Sequence, residues 1–247
     1  MRYAILGLVI GLATTAPAGA GEALVAVATN FANAAETLAA EYEAESGDRI
    51  TFTAGATGKL YAQITQGAPF DAFLSADQKT PARIEAEGAG VAGTRFAYAT
   101  GTLALWSADP ARDLSDPVAA LTGATHVAIA NPELAPYGQA AVETLAHLGV
   151  SEAVAAKIVT AENIGQAYSL VATGAADIGL VASSSVIAGG NLGAVWPVPA
   201  DHHGPIRQDA ILLVHGKDND AARGFLAYLA SDAAARTIAA FGYGTGT

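Results

Sequence analysis

The sequence predicts an α/β protein of two lobes, each a mostly parallel sheet flanked by helices, joined by two extended hinge crossings. Three observations carry this. Short apolar runs alternate with stretches of helical periodicity, the pattern of βα units. The alternation is broken once by a long extended stretch at 95–107, RFAYATGTLALWS, and then restarts. A second extended stretch at 208–214, QDAILLV, offers the return crossing.

The elements follow in order. Residues 1–20 read as a secretory signal peptide: Arg2, an apolar run of about ten residues, and the small-residue end Ala18-Gly19-Ala20, with cleavage after Ala20. The run is too short to span a bilayer. LVAVA at 24–28 is a strand, and Phe31, Ala34, Leu38 and Tyr42 repeat at helical spacing up to Gly47. RITFT at 49–53 alternates as a strand does. Leu60 and Ile64 open a second helix that stops at Gly67, and FDAFLSAD at 70–77 is a strand with its exit turn, followed by a helix to about Gly88. After the first crossing, HVAIA at 126–130 is a strand, 138–148 a helix, 164–173 a helix, DIGLVA at 177–182 a strand and AVWPV a strand. The tail, about 219–241, holds two helices with Phe225, Leu226 and Leu229 on one face. The expected division is lobe I from 21–100 and 208–247, and lobe II from 101–207.

Composition narrows the function. Hydrophobic residues make up 52% and charged residues 14% of the 247, a well-buried core and not a disordered chain. There is no cysteine, so disulfides and a lipid-modified N-terminal Cys are excluded. The net charge of −11 argues against nucleic acid and anionic membranes. It does not exclude a small anion, because charges beyond about 8–10 Å are screened at physiological salt.

Ligands of open α/β sheets bind outside the carboxyl ends of strands. Four strand-to-helix corners there carry small polar residues: Thr29-Asn30 in ATNF, Thr57-Gly58 in GATGKL, Tyr137-Gly138 in APYGQ, and Asn163-Ile164-Gly165 in ENIGQ. A helix start presents unpaired N–H groups and a partial positive charge, so it suits an anion. Taken singly, each such corner reads as an ordinary N-cap; Tyr137 reads as a packed aromatic with its hydroxyl in water. The combination, two corners per lobe, points to one oxyanion. GATGKL is not a nucleotide-binding loop, since only Ala56 and Thr57 separate its glycines and Leu60 follows Lys59. Lys59 reads as a solvated, idle charge. Glu41, Glu43 and Glu45 read as a solvated helix face, Asp71 as structural, and Asp201-His202-His203 as an exposed loop without a metal. Ser183-Ser184-Ser185 lack a G-x-S-x-G setting. No nucleophile with a base partner is visible, so an enzyme is not expected.

Three blocks, GAPFDAFLSAD at 67–77, ANPELAPYGQAA at 130–141 and AENIGQAYSLVATGAADIGLVA at 161–182, carry a resemblance. The chain resembles the periplasmic molybdate-binding proteins of ABC transporters over nearly its whole mature length. The resemblance implies the type II periplasmic binding-protein fold, lobes closing on a tetrahedral oxyanion, a monomer, and delivery to a membrane permease driven by a cytoplasmic ATPase. It implies no cofactor and no direct metal ligands, the molybdenum being bound as molybdate. Its ligand positions fall on Thr29, Asn30, Thr57, Tyr137 and the N–H of Ile164. The chain departs from the commoner pattern at Ala182, where many members carry Tyr, and the expectation is that the Tyr137 phenol replaces it. Molybdate and tungstate are deprotonated dianions that only accept hydrogen bonds, which suits an all-donor site; sulfate or phosphate is the alternative ligand. A sensor pair of a transcription regulator is disfavoured by the signal peptide and the missing helix-turn-helix.

Overall fold

The structure is a computed structural model and describes residues 20–244. The expected signal peptide lies outside the described residues except for Ala20. The first half of the chain runs β1 (Glu22–Ala28), α1 (Ala32–Ser46), β2 (Arg49–Gly55), α2 (Thr57–Thr65), β3 (Ala72–Leu74), α3 (Lys79–Ala86), β4 (Phe96–Gly101), β5 (Leu103–Ser107), α4 (Pro117–Gly123) and β6 (Val127–Ala130). The second runs α5 (Pro136–His147), α6 (Ser151–Val154), β7 (Ile158–Ala161), α7 (Ile164–Ala172), β8 (Ile178–Ala182), α8 (Ser183–Ala188), β9 (Ala194–Pro197), β10 (Ile206–Leu212), α9 (Asp220–Leu229) and α10 (Asp232–Ala240).

These strands form two five-stranded sheets, β2-β1-β3-β10-β4 and β7-β6-β8-β5-β9. In each sheet four strands share one direction and one opposes them: β10 in the first, β5 in the second. The opposed strand is in both cases the one the chain enters on crossing between sheets. The α/β prediction with mostly parallel sheets is therefore met, and the crossings explain the exception. No helix among the described residues is long and apolar enough to cross a membrane.

Strand alternation sets the core. Along β1, Ala23, Val25 and Val27 pack against α1 and α9, while Leu24 and Ala26 face Leu60 and Ile64 of α2 and Ile84 of α3. Phe225 of α9 is fully buried, and its truncation to Ala would cost about 3–5 kcal/mol. The third cluster fills the second lobe around Leu105, Leu121, Ile178 and Leu180. Helix α1 ends where Gly47 adopts φ 80° and returns its N–H to Glu43 O at 2.9 Å.

Several expectations change. The stretch 95–107 is not one strand but β4 and β5, broken at Thr102. A Cβ on Gly101 would lie 2.1 Å from the Tyr137 hydroxyl, so the chain turns past that side chain with no room to spare. Helix α5 starts at Pro136, two positions before the expected Gly138, because Pro needs no N–H partner in a first turn. The acidic face of α1 is not merely solvated: Glu41 accepts from Tyr228 Oη at 2.8 Å and Thr237 Oγ1 at 2.9 Å, and Glu43 accepts from Ile50 N at 2.8 Å. We take each sheet with its helices as a lobe. The expected lobe limits at 101 and 207 fall inside the β4–β10 ladder, where Ile206 pairs with Gly101 and Arg207 with Thr100.

Candidate functional site

The four corners are the starts of α1, α2, α5 and α7, and the first three have no side-chain cap. By contrast Asp116, Asn219 and Ser231 cap α4, α9 and α10 in the ordinary way. At α7, Asn163 Oδ1 caps Gln166 N at 2.9 Å, one residue beyond the corner's leading amides. So Thr57 and Asn30 are not the N-caps that their types suggest; the caps of α1, α2 and α5 are Phe31, Ala56 and Ala135.

What remains open at these corners is main chain. Among the described residues, the N–H groups of Asn30, Thr57, Tyr137 and Ile164 have no hydrogen-bond partner. All four residues are buried. Buried main-chain donors are nearly always paired, so a group of them left open at these corners is an arrangement suited to an anion.

The threonine hydroxyls support it. Thr57 Oγ1 accepts from Ala76 N at 3.2 Å, and Thr29 Oγ1 accepts from Gly165 N at 3.3 Å. With a lone pair on each oxygen already engaged, the hydroxyl proton is left to present. The Thr29–Gly165 bond joins the lobes, as do Gly58 N to Leu134 O at 2.9 Å and Ser184 Oγ to Asn30 O at 2.9 Å. The structure is thus the closed arrangement, and all four corners have bonded neighbours across the cleft or beside it. Lys59, expected as a solvated charge, is about half exposed, and its Nζ sits 2.7 Å from Glu162 Oε2 of the other lobe, itself about half exposed.

Behind the corners lies a buried polar network. Asn30 Nδ2 donates to Gln208 Oε1 at 2.8 Å, and Tyr98 Oη donates to Ser75 O at 2.9 Å and lies 3.0 Å from Gln208 Oε1. The Tyr137 hydroxyl is in this network, 3.5 Å from Gln208 Nε2, and not in water as its type alone suggested. Burial above all pushes the phenols of Tyr98, Tyr137 and Tyr243 up, so all three stay neutral donors. Asn30 Oδ1 is buried without a partner. Gln208, Ser184, Tyr98 and Tyr243 were not foreseen as neighbours of the site. The ladder shifts between Gln208 and Asp209, where Tyr98 is the extra residue on β4, and β10 is buried from Gln208 to Leu212 on both faces, so no alternation in the sequence singles out Gln208.

A cavity of 810 Å³ opens beside Thr57 and Gly58, walled by Ala76, Lys79, Pro132 and Arg207. Elsewhere, Asp71 is structural, accepting from Leu24 N at 2.8 Å. His202 stacks on His147 at 4.0 Å and joins no group of three or more potential metal ligands among the described residues. Ser183, Ser184 and Ser185 form the first turn of α8.

Comparison with known proteins places this geometry in context. The family described as bacterial extracellular solute-binding protein matches residues 23–244. The molybdate-binding protein ModA of Rhodobacter capsulatus is 48% identical, over 97% of this chain and 94% of the relative. That of Azotobacter vinelandii is 45% identical, over 99% of each. The solved Azotobacter vinelandii periplasmic molybdate-binding protein superposes with a TM-score of 0.86 at 37% identity, covering 91% of this chain and all of that one.

Proposed function

The chain belongs to the ModA family of bacterial extracellular solute-binding proteins, and from that premise we propose that it binds molybdate, and tungstate with it, in the cleft between its lobes. It is a binding protein, as its relatives are, and not an enzyme. The observation that carries the reading is the set of four buried, unpartnered N–H groups at Asn30, Thr57, Tyr137 and Ile164. Together with the Thr29 and Thr57 hydroxyls they offer a dianion donors from both lobes. A hydrogen bond to a charged group contributes about 1.5–3 kcal/mol net, so several suffice without an Arg or Lys. We assign Tyr137 its main-chain N–H as the donor, because its hydroxyl lies in the buried network behind the corners, accepting from Gln208 Nε2 at 3.5 Å; this changes the donor atom from the phenol that the sequence suggested.

The reading extends to export into the periplasm without a lipid anchor, to a monomeric protein, and to delivery of the anion to an ABC permease with its ATPase. The periplasmic location is supported by the description of one relative as a periplasmic molybdate-binding protein; the other parts extend the sequence reading.

One observation favours a second reading. Asn30 Oδ1 is a buried acceptor without a partner, and a protonated oxyanion such as hydrogen phosphate needs an acceptor. Reversal of the Asn30 amide would present a donor instead, which is what molybdate requires. Calorimetric titration with molybdate, tungstate, sulfate and phosphate separates the two. Molybdate and tungstate are expected to bind most tightly; tighter binding of sulfate or phosphate would overturn the assignment.

A further inference from the structure

The C-terminal segment is strapped to the first crossing. Thr100 N donates to Gly244 O at 3.0 Å and Gly244 N to Thr100 O at 2.8 Å, while Thr102 Oγ1 donates to Gly242 O at 3.1 Å. Between these ties Tyr243 turns inward. Its ring meets Phe31 edge-on at 5.3 Å within the core of lobe I. Its hydroxyl donates to Asn30 O at 2.6 Å. Ser184 Oγ, from lobe II, donates to the same carbonyl at 2.9 Å, and the two hydroxyl oxygens are 3.0 Å apart. The single proton of the Tyr243 hydroxyl thus has two acceptors in reach, Asn30 O in its own lobe and Ser184 Oγ in the other, in a buried place.

We propose that Tyr243 is a positioning residue that sets how long the anion stays bound: with the lobes shut its hydroxyl reaches Ser184 Oγ at 3.0 Å while Ser184 donates to Asn30 O, a tie between the lobes that the open form lacks. The proposal rests on the reading of the corners as the oxyanion site, since the Asn30 N–H is one of the open donors. In an open protein the Tyr243 ring keeps its seat against Phe31, but the bonds from Ser184 to lobe I are broken. An anion meets the open form, so arrival does not depend on this junction. Departure does, because the lobes cannot part without dismantling it.

The test is stopped-flow tryptophan fluorescence with molybdate, using Trp106, which stacks on Tyr168 of α7 at 4.5 Å, as reporter. Tyr243→Phe keeps the ring and removes the hydroxyl; Ser184→Ala removes the partner from the other lobe. Each is expected to speed dissociation about five-fold, as suits one lost hydrogen bond, with the association rate within about two-fold; the melting temperature of the ligand-free protein should be unchanged in Ser184→Ala and lowered in Tyr243→Phe, which also loses its bond to Asn30 within lobe I. The double variant should be no worse than about the faster single one, because the two hydroxyls act at one carbonyl. Unchanged dissociation in both variants, or a loss confined to association, would overturn the proposal. If Tyr243→Phe does not fold, Ser184→Ala reads the same junction alone. Wild-type protein that ignores molybdate but binds another anion of the panel would refute the ligand, and the rates measured with that anion would then decide for or against the junction.

Discussion

Lys59 Nζ and Glu162 Oε2 lie 2.7 Å apart across the mouth of the cleft, one from each lobe. Exposed pairs contribute about 0–1 kcal/mol and are screened by salt. Lys59→Ala should therefore weaken molybdate binding slightly at low ionic strength and not at all in concentrated salt. Calorimetry at two salt concentrations checks this; a large loss that persists in salt would mean that a formal charge reaches the anion.

Tyr137 has two polar groups with different surroundings. Its N–H is open at the start of α5, and its hydroxyl lies 3.5 Å from Gln208 Nε2. Tyr137→Phe should cost less than about 1.5 kcal/mol of binding, the upper range for one neutral hydrogen bond. A loss of about 3 kcal/mol would return the phenol to the anion.

Gly165 sits where the lobes touch. A Cβ there would come within 3.2 Å of Thr29 Cβ in the other lobe. Gly165→Ala should raise the melting temperature of the ligand-free protein, because Ala is better in a helix by about 0.5–1 kcal/mol. The same change should weaken anion binding by obstructing closure. Opposite signs in the two measurements are the expected result; equal affinity would show that the seam yields.

The proposed donors are main-chain amides and hydroxyls, and burial holds the nearby phenols neutral. Molybdate affinity should thus be flat between about pH 6 and 9, a range that leaves ordinary tyrosines protonated too. A step in this range would reveal a titrating protein group at the site.

Stability should depend on pH at the acid end. Hydrogen bonds from His126 N and Thr125 N, 2.7 Å each, hold the Asp177 carboxyl below its ordinary 3.8. A depressed folded pKa stabilises fully above the unfolded value and loses that contribution as pH falls through the folded one. Urea midpoints should fall below about pH 4 in the wild type, and Asp177→Asn should flatten part of that fall.

The corners were legible because each couples a strand ending to a small polar residue and a helical period within a few positions. Thr57, Tyr137 and Ile164 are found in the first turns of α2, α5 and α7, and Thr29 and Asn30 in the turn that leads into α1, for that reason. The network behind them was not legible. Asn30 meets Gln208 and Tyr243 at separations of 178 and 213 residues, and Ser184 at 154. No local pattern announces such meetings; the return crossing and the tail bring them about. The two crossings were seen as long extended stretches, but the break at Thr102 depends on the Tyr137 side chain beside Gly101. Short α4, α6, β7 and α8 carry too few residues for a period to register.

The position of β10 between β3 and β4 has a consequence for how the molecule comes into being. A chain emerging from its N-terminus can complete the second sheet by residue 197, yet β4 must wait for residues 206–212 before any neighbour is available. Gln208 and Tyr243 arrive later still than the residues they serve. A partly synthesised chain therefore owns all four helix starts and no means of closing on them. Shutting the lobes on those starts therefore waits for residues 206–212 and for Tyr243, the parts of the chain that reach Asn30 from farthest away.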